Sequence, residues 1–320
     1  MNVYSSLNDA VDEGVPIVLA AGFFDGVHLG HQHVIQTAMD EARRREGQAW
    51  VLTFDPHPMQ VIRPDIAPPM LMSSTERLER IRDLGPHAAV NLEFTRALSR
   101  VKPEDFVAQL REQLPSIEHF VIGENWRFGR DAAGDVDRLR RLGESLGFEV
   151  TAIAPVQWSG AAISSTRIRE SIAAGRFDGA RKMLGQPYIL SGTVVRGRQV
   201  GRKLGFPTVN IVPETDVLPP HGVFAVITEI DGERIPGAAY YGHRSARPGV
   251  EGKYFLEVYL FDLDEDLYDR FIRIQFVSFI RPDQRFASEP ELVEQIRLDT
   301  AAVQVELDRY AAESPIPTRS

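Results

Sequence analysis

Short runs of consecutive apolar residues at 16–21, 49–54, 88–92, 119–122 and 150–154 alternate with stretches whose apolar residues recur at helical spacing. Runs that are apolar on successive positions, instead of alternating, predict parallel strands covered on both faces. Between the first two runs, Val34, Ile35, Ala38, Met39 and Ala42 share one face of a helix predicted over 31–45, and Gly47 is a stop signal. Helices predicted over 75–84, 103–114 and 135–146 fill the later crossovers. This rhythm predicts a doubly wound α/β sheet, in which ligands bind beyond the carboxyl ends of the strands.

After Ser164 the rhythm changes. Two short helices are predicted over 166–174 and 177–184, followed by Gly185, Gln186 and Pro187. From 188 onward, strand-like runs at 188–195, 223–230, 254–261 and 271–279 are punctuated by Gly and Pro, and Asp231-Gly232 is a hairpin signal. A small antiparallel β-barrel is expected, closed by a C-terminal helix over 289–310 through Leu292, Ile296, Val303 and Leu307. The tail from Ser314 is expected to be mobile. The predicted domains are therefore 1–185 and 186–320, and 320 residues of which 43% are hydrophobic suffice for two cores.

Composition narrows the chemistry. A formal charge of −9 gives no basic footprint for nucleic acid or an anionic membrane surface. The sequence shows no basic, apolar, small-residue leader pattern and no apolar stretch of the ~20 residues that span a bilayer, so a cytoplasmic protein is expected. Oligomeric state is not specified. With no cysteine, thiol nucleophiles, Cys-ligated zinc and iron–sulfur clusters are excluded, leaving His, carboxylates, hydroxyls, Arg and backbone amides.

Residues 22–31, Gly-Phe-Phe-Asp-Gly-Val-His-Leu-Gly-His, lie where the first strand gives way to the first helix. Glycines let the backbone approach a ligand, and a helix start points free amides at an anion, so this is a sensible phosphate site. His28 and His31 add donors for the charge that develops on a phosphate oxygen during in-line displacement. The same histidines also read as turn-stabilising residues or, with His33, as a metal cluster, although no acidic residue or Cys completes a ligand set. Three further segments follow predicted strands: Thr53-Phe54-Asp55-Pro56-His57-Pro58, then 123–129 (Gly-Glu-Asn-Trp-Arg-Phe-Gly), then 163–169 (Ile-Ser-Ser-Thr-Arg-Ile-Arg). Singly they are a rigid turn, a loop and a helix cap; in this order they converge on one sheet edge.

The 22–31 segment resembles the HxGH signature of the nucleotidyltransferase superfamily. Its form here, GFFDGVHLGHQ, is similar to the FAD-synthetase branch of bifunctional riboflavin kinase/FAD synthetases. The resemblance implies a nucleotidyltransferase-like fold with His28, His31 and Arg167 as catalytic groups. It further implies nucleotide or flavin contacts from Gly22, Phe24, Asp25, Gly26, Gly30, His57, Asn125, Ser164, Ser165 and Thr166. Asn125 stands where many relatives carry Asp. The Arg138, Arg140 and Arg141 cluster reads as a solvated helix face.

In the second half, 192–197 (Gly-Thr-Val-Val-Arg-Gly) leads into 201–210 (Gly-Arg-Lys-Leu-Gly-Phe-Pro-Thr-Val-Asn), which matches neither a Walker A loop nor GxGxxG. It resembles the GRxLGxPTxN motif of riboflavin kinases. That resemblance implies Thr208 and Asn210 as ligands of the Mg2+ that accompanies ATP, and nucleotide or flavin contacts from Gly192, Gly201, Gly205 and Pro207. Period-two alternation puts Glu257 on one strand face with Phe255, Tyr259 and Phe261, and the same resemblance implies that Glu257 is the general base for a riboflavin hydroxyl. Leu267-Tyr268, Arg281-Pro282, Phe286 and the helix with Leu292, Gln295, Ile296 and Asp299 also resemble the kinase. The segment 242–247, Gly-His-Arg-Ser-Ala-Arg, departs from the Gly-x-Arg-Pro-Thr of relatives.

The resemblance spans 16–299. It implies phosphorylation of riboflavin to FMN and adenylyl transfer from ATP to FMN, giving FAD and pyrophosphate, with riboflavin, FMN, FAD and ATP as partners and Mg2+ in both steps. The competing readings are an FMN adenylyltransferase with a flavin-binding but degenerate barrel, a non-enzymatic flavin-binding regulator, and a cytidylyltransferase, which explains HxGH but not the barrel motif.

Overall fold

The computed structural model describes all residues except 198–200, 202–203, 247–253, 264 and 314–320, with 243–246 and 254 described by backbone alone. The chain forms two compact units, Met1–Ser165 and Thr166–Ser320.

The first unit is an all-parallel sheet. Its strands are β1 (Asn2–Tyr4), β2 (Ile17–Ala21), β3 (Gln48–Asp55), β4 (Ala88–Glu93), β5 (Ile117–Gly123) and β6 (Glu149–Ile153), in the order β1-β4-β3-β2-β5-β6. Each of the five predicted apolar runs is a strand. The edge strand β1 is an addition, since three residues carry no periodicity to read. β2 is buried along its whole length, and its residues alternate between two cores: Ile17, Leu19 and Ala21 pack with Trp50 and Phe120, and Val18 and Ala20 with Val34, Ile35 and Ala38. Both faces are covered by the crossover helices α1 (Leu29–Arg44), α3 (Ser74–Leu84), α4 (Pro103–Gln113) and α5 (Val136–Leu146), with the short α2 (Pro58–Ile62) between β3 and α3. From β2 the chain winds outward through β3 and β4, then returns to β5 on the other side. The topological switch point therefore lies between β2 and β5, where a doubly wound sheet opens its binding crevice.

Local signals agree with these helices. Ser73 and Glu76 form a reciprocal capping box at α3, and left-handed Gly85 and Gly147 end α3 and α5. A Cβ on Gly47 would lie 2.1 Å from the Pro16 carbonyl oxygen, so the stop after α1 requires glycine for close approach. Of the basic cluster on α5, Arg138 pairs with Glu104 and Arg140 with Asp137 on a partly exposed face.

The second unit contains α6 (Ser165–Ala173, entered from the first unit), α7 (Phe177–Leu184) and a closed antiparallel barrel with strand order β10-β13-β12-β11-β14-β9. Its strands are β9 (Ile189–Val195), β10 (Thr208–Pro213), β11 (Gly222–Ile230), β12 (Glu233–Ala246), β13 (Tyr254–Leu260) and β14 (Phe271–Pro282). The helix α8 (Glu289–Glu313) packs on β11, β12 and β14. A small hairpin, β7 (Gln157–Trp158) with β8 (Ala161–Ala162), precedes α6.

The compact units divide between Ser165 and Thr166, at the first residues of α6, whereas the change of rhythm predicts domains 1–185 and 186–320. The reason is aromatic packing: Phe177 of α7 lies 5.0 Å from Phe276 and 5.8 Å from Phe224, both buried barrel residues. Two barrel strands, β10 and β12, were not predicted. β10 lies inside the glycine-rich motif, and β12 carries Pro236 and Gly237, which break a strand pattern. Asp231 and Gly232, at φ 52° and 85°, turn β11 into β12 as the hairpin signal predicts. The 314–320 tail lies outside the described residues.

Candidate functional site

β2 ends in a turn where Phe24, Gly26 and Val27 have φ of 60°, 82° and 40°. Such angles are unfavourable for an aromatic and worse for a β-branched residue, and persist only where the surroundings dictate them. Phe24 and Val27 are buried. Thr53 Oγ1 donates to the Phe23 carbonyl (2.9 Å), Leu71 N donates to the Asp25 carboxylate (3.1 and 3.3 Å), and Ser165 Oγ donates to the Asp25 carbonyl (2.9 Å). The loops after β2 and β3 and the start of α6 thus fix one turn. Neither glycine flanking it has spare room: a Cβ on Gly22 would be 2.9 Å from the Phe24 ring, and one on Gly30 3.1 Å from the His28 ring.

His28 caps α1. Its Nδ1 accepts from the His31 amide (3.3 Å), so the neutral ring carries its proton on Nε2, as a donor. The His31 ring stacks on it, with centroids 3.5 Å apart and planes at 16°. His31 keeps part of its surface exposed, but its Nδ1 is enclosed without a hydrogen-bond partner. Burial pushes His28 down to about 4, and burial with the neighbouring His28 holds His31 well below the usual imidazole range. Burial therefore holds both rings neutral near pH 7. His33 points to solvent, away from this pair, and no group of three His, Cys, Asp or Glu among the described residues is arranged to hold a metal.

His57 caps α2 through Nδ1, which accepts from Met59 N (3.0 Å), while Gln60 Oε1 accepts from His57 N (3.0 Å). The His57 ring also meets the Phe23 ring at a steep angle, with centroids 4.2 Å apart, so this rigid turn lies against the turn after β2. Asn125 is exposed in the turn after β5, beside a stacked Trp126–Phe128 pair at 4.6 Å. Ser164 and Ser165 follow the β7–β8 hairpin and not a sheet strand directly. Thr166 and Arg167 continue along α6 into the second unit. One residue was missed: Arg77 of α3, 2% exposed, lies over the Phe23 ring at 4.3 Å and donates to the Phe54 carbonyl (2.7 Å). The signal was available, because Arg77 precedes buried Ile81 by one turn and so interrupts the apolar stripe of α3.

In the barrel unit, a cavity of about 290 Å³ is lined by Gly201, Phe206, Thr208 and Asn210 from the motif, Tyr240 and Glu257 from the strands, and Leu292, Ile296 and Asp299 from α8. Leu256, Val258 and Leu260 of β13 are buried, so alternation turns Glu257 and Tyr259 to the opposite face, towards this cavity. Register makes the arrangement exact in sequence terms: Glu257 is paired with Asn210 on one side and Tyr240 on the other, and Thr208 with Tyr259. Tyr240 was missed with its strand; its hydroxyl donates to Asp283 (2.9 Å).

Close approach explains the glycines around it. A Cβ on Gly197 would sit 2.2 Å from Asn210 Nδ2, on Gly192 2.2 Å from the Val212 carbonyl, and on Gly201 2.4 Å from the Phe206 carbonyl. Gly205 instead adopts φ 86°, and Pro207 is exposed beside β10. Arg281 and Asp299 form a two-pronged pair (2.7 and 2.6 Å), reinforced by Gln295 Nε2 (2.9 Å), that fastens α8 to β14 at the cavity wall. Residues 243–246 of the departing segment extend β12 by their backbone, and Arg247 lies outside the described residues.

Comparison with known proteins matches residues 12–167 to the FAD synthetase family model and 184–307 to the riboflavin kinase family model. The bifunctional riboflavin kinase/FMN adenylyltransferase of Escherichia coli (strain K12) is 35% identical over 92% of this chain and 93% of its own length. The enzyme of the same description from Pseudomonas fluorescens is 34% identical over 94% and 96%, and that from Bacillus subtilis (strain 168) 32% over 90% and 92%. A crystal structure from Streptococcus pneumoniae, described as a macrolide-efflux protein, superposes with a TM-score of 0.83 at 26% identity, covering 95% of this chain and 99% of its own. Among the described residues here, no helix is long and apolar enough to cross a membrane.

Proposed function

Because the chain belongs to the bifunctional riboflavin kinase/FMN adenylyltransferase family, phosphorylating riboflavin to FMN and adenylylating FMN to FAD with ATP, we propose that its two units divide these reactions. Adenylyl transfer belongs to the N-terminal parallel-sheet unit and phosphorylation to the barrel. The observation that carries this division is that the stacked His28–His31 pair and the in-register Asn210–Glu257 pair lie in different compact units.

In the barrel, the riboflavin 5′-hydroxyl oxygen attacks the γ-phosphorus of ATP, its proton passes to the Glu257 carboxylate, and ADP departs. The cavity favours this reading because its apolar walls, Leu292 and Ile296, limit water while its polar groups lie in one row across three strands. Thr208 and Asn210, two positions apart on β10 with the Glu257 carboxylate beside Asn210, form an all-oxygen donor set that fits Mg2+. When bound, that ion would neutralise phosphate charge; the two side chains would hold it. Gly192, Gly201, Gly205 and Pro207 shape the surrounding turn so that the nucleotide approaches the backbone.

In the sheet unit, an FMN phosphate oxygen attacks the α-phosphorus of ATP and the bond to the β-phosphate oxygen breaks, releasing pyrophosphate. No base is needed, because the attacking oxygen is already ionised. The work is therefore positioning and charge stabilisation. His28 offers Nε2–H in a fixed orientation, His31 stacks behind it, and the start of α1 adds its amides. Gly22, Phe24, Asp25, Gly26 and Gly30 form the cradle. Ser164 and, at the start of α6, Ser165, Thr166 and Arg167 serve the phosphates, while His57 and Asn125 border the flavin and nucleotide. The chain takes no nucleic-acid or membrane partner in this reading, consistent with its formal charge of −9, and works in the cytoplasm, where ATP is abundant.

Magnesium ATP with either riboflavin or FMN, followed by chromatographic separation of the flavins, tests the division. Glu257→Gln is expected to abolish FMN formation and spare FMN-to-FAD conversion; His28→Ala is expected to do the reverse. Equal loss of both activities in either variant contradicts separate sites.

A further inference from the structure

Arg77 is difficult to explain as a stabilising residue. It is 2% exposed and, among the described residues, it makes no ion pair within 4 Å and finds no hydrogen-bond partner for its enclosed Nε. Its remaining contacts are the Phe54 carbonyl at 2.7 Å, the Ser74 hydroxyl at 3.3 Å and the face of Phe23 at 4.3 Å. An apolar side chain on the same face of α3 would avoid the desolvation of a charge, and replacing buried ionic groups by packed apolar ones is often neutral or stabilising. A guanidinium does not escape by losing its proton. Burial pushes Arg77 down from its ordinary value, with the carboxylates of Asp55 and Asp25 opposing.

Its contacts point to one place. Phe23 opens the turn that carries Asp25 and leads into His28, and its ring is held between the Arg77 guanidinium and the edge of His57 at 4.2 Å. Phe54 lies in the last turn of backbone before His57, at the carboxyl end of β3. Arg77 therefore grips the end of β3 by a hydrogen bond and the β2–α1 turn by a cation–π contact, from a helix that belongs to neither. Around it, Asn91 of β4 donates to the same Ser74 hydroxyl at 3.3 Å and leaves its Oδ1 buried without a partner. The cluster is polar and sits around a buried cation, so it costs desolvation that an apolar side chain at position 77 would avoid.

We propose that Arg77 is a positioning residue for adenylyl transfer, clamping Phe23 against the end of β3 so that the turn presents His28 and His31 in one fixed arrangement. This rests on the reading of His28 and His31 as the transfer site. Because Arg77 acts through Phe23 and touches no reacting atom, its loss should lower turnover more than substrate binding: a displacement of about 1 Å at a reacting centre costs on the order of a hundredfold in rate.

The test uses the full-length protein with magnesium ATP and FMN. Arg77→Met is expected to reduce kcat for FAD formation by about ten- to a hundredfold while KM for FMN and ATP changes less than about threefold. Arg77→Lys, which keeps a cation near Phe23, is expected to recover most of the rate. All three tryptophans, Trp50, Trp126 and Trp158, belong to the sheet unit, so their emission reports its folding separately from the barrel. Unchanged kcat in Arg77→Met, a rise in KM alone, or a Lys variant no better than Met overturns the proposal. Loss of native tryptophan emission in both variants also overturns it, in favour of a structural role. His31→Ala runs in parallel: full FAD formation by that variant sinks the site reading itself, whereas full activity in Arg77→Met alone sinks only the clamp.

Discussion

In the parallel-sheet unit the candidate groups stand on turns beyond the strand ends, whereas in the barrel they stand in the strands. His28, Asp25 and His57 are held by caps, carboxylate-to-amide bonds and a turn with three positive φ angles. Asn210, Glu257 and Tyr240 are aligned by ladder register, with the Tyr240 hydroxyl also bonded to Asp283. A turn must be braced from several sides, which is why Thr53, Leu71 and Ser165 all bind the 22–27 backbone or Asp25. A strand needs no such bracing, because a one-residue slip would carry every side chain to the wrong face. Loop sites are therefore expected to fail by loosening and strand sites by loss of a specific atom.

The largest effect that would sharpen this contrast is at Glu257. Glu257→Gln keeps shape and register and removes only the proton acceptor, so riboflavin phosphorylation should fall by about a thousandfold with no change in barrel stability. A fall below tenfold in a steady-state assay would break the assignment of Glu257 as base. At His28, substitution by Ala removes both a donor and the cap of α1. FAD formation should drop by roughly a few hundredfold, accompanied by a measurable loss of sheet-unit stability.

Acid should separate the units next. A histidine whose folded-state pKa is depressed contributes stability that is present above its unfolded value of 6.5 and lost as the pH falls through the folded one. The window for His28 thus runs from 6.5 down to about 4, with His31 shifted in the same direction. Tryptophan-monitored urea unfolding should show the sheet unit weakened by roughly 3 kcal/mol across that window, and His28→Gln should flatten the dependence. A flat wild-type profile would contradict the buried neutral pair. The smallest effect is expected in the barrel: Asp299→Ala strands Arg281, which is partly exposed, and should cost about 2 kcal/mol, read by thermal unfolding with no tryptophan signal.

What was legible in sequence followed the same contrast. The central parallel strand announces itself because every residue of β2 is apolar and buried, and its neighbours are still legible although Thr53, Asn91, His119 and Thr151 interrupt their apolar runs; each of the five runs is a strand of the sheet. The 22–31 turn is legible because the whole decapeptide, set between the first strand and the first helix, resembles the HxGH signature, whereas its histidines alone read equally well as turn-stabilising residues. β10 and β12 were illegible: Gly201 to Asn210 reads as a loop, and Pro236 interrupts β12, while closure of the barrel supplies pairing partners on both sides that no local pattern records. Tyr240 went unseen with its strand. Arg77 went unseen for another reason, since a charged residue on a helix reads as solvent-facing until tertiary packing encloses it. The Arg281–Asp299 pair joins β14 to α8, and only the fold brings them to one cavity wall.

The position of that cavity bears on inhibitor design. The interior of the barrel is filled by Leu256, Val258 and Leu260, and several glycines leave no room between strands. The pocket instead lies outside, roofed by Leu292 and Ile296 of α8. A helix tolerates changes in side-chain volume without disturbing a ladder, so the pocket can be widened or narrowed for a bulkier flavin analogue at Leu292 and Ile296 without altering strand register. Resistance to such an antimetabolite would be expected to arise at those same two positions, with the reacting strands left untouched.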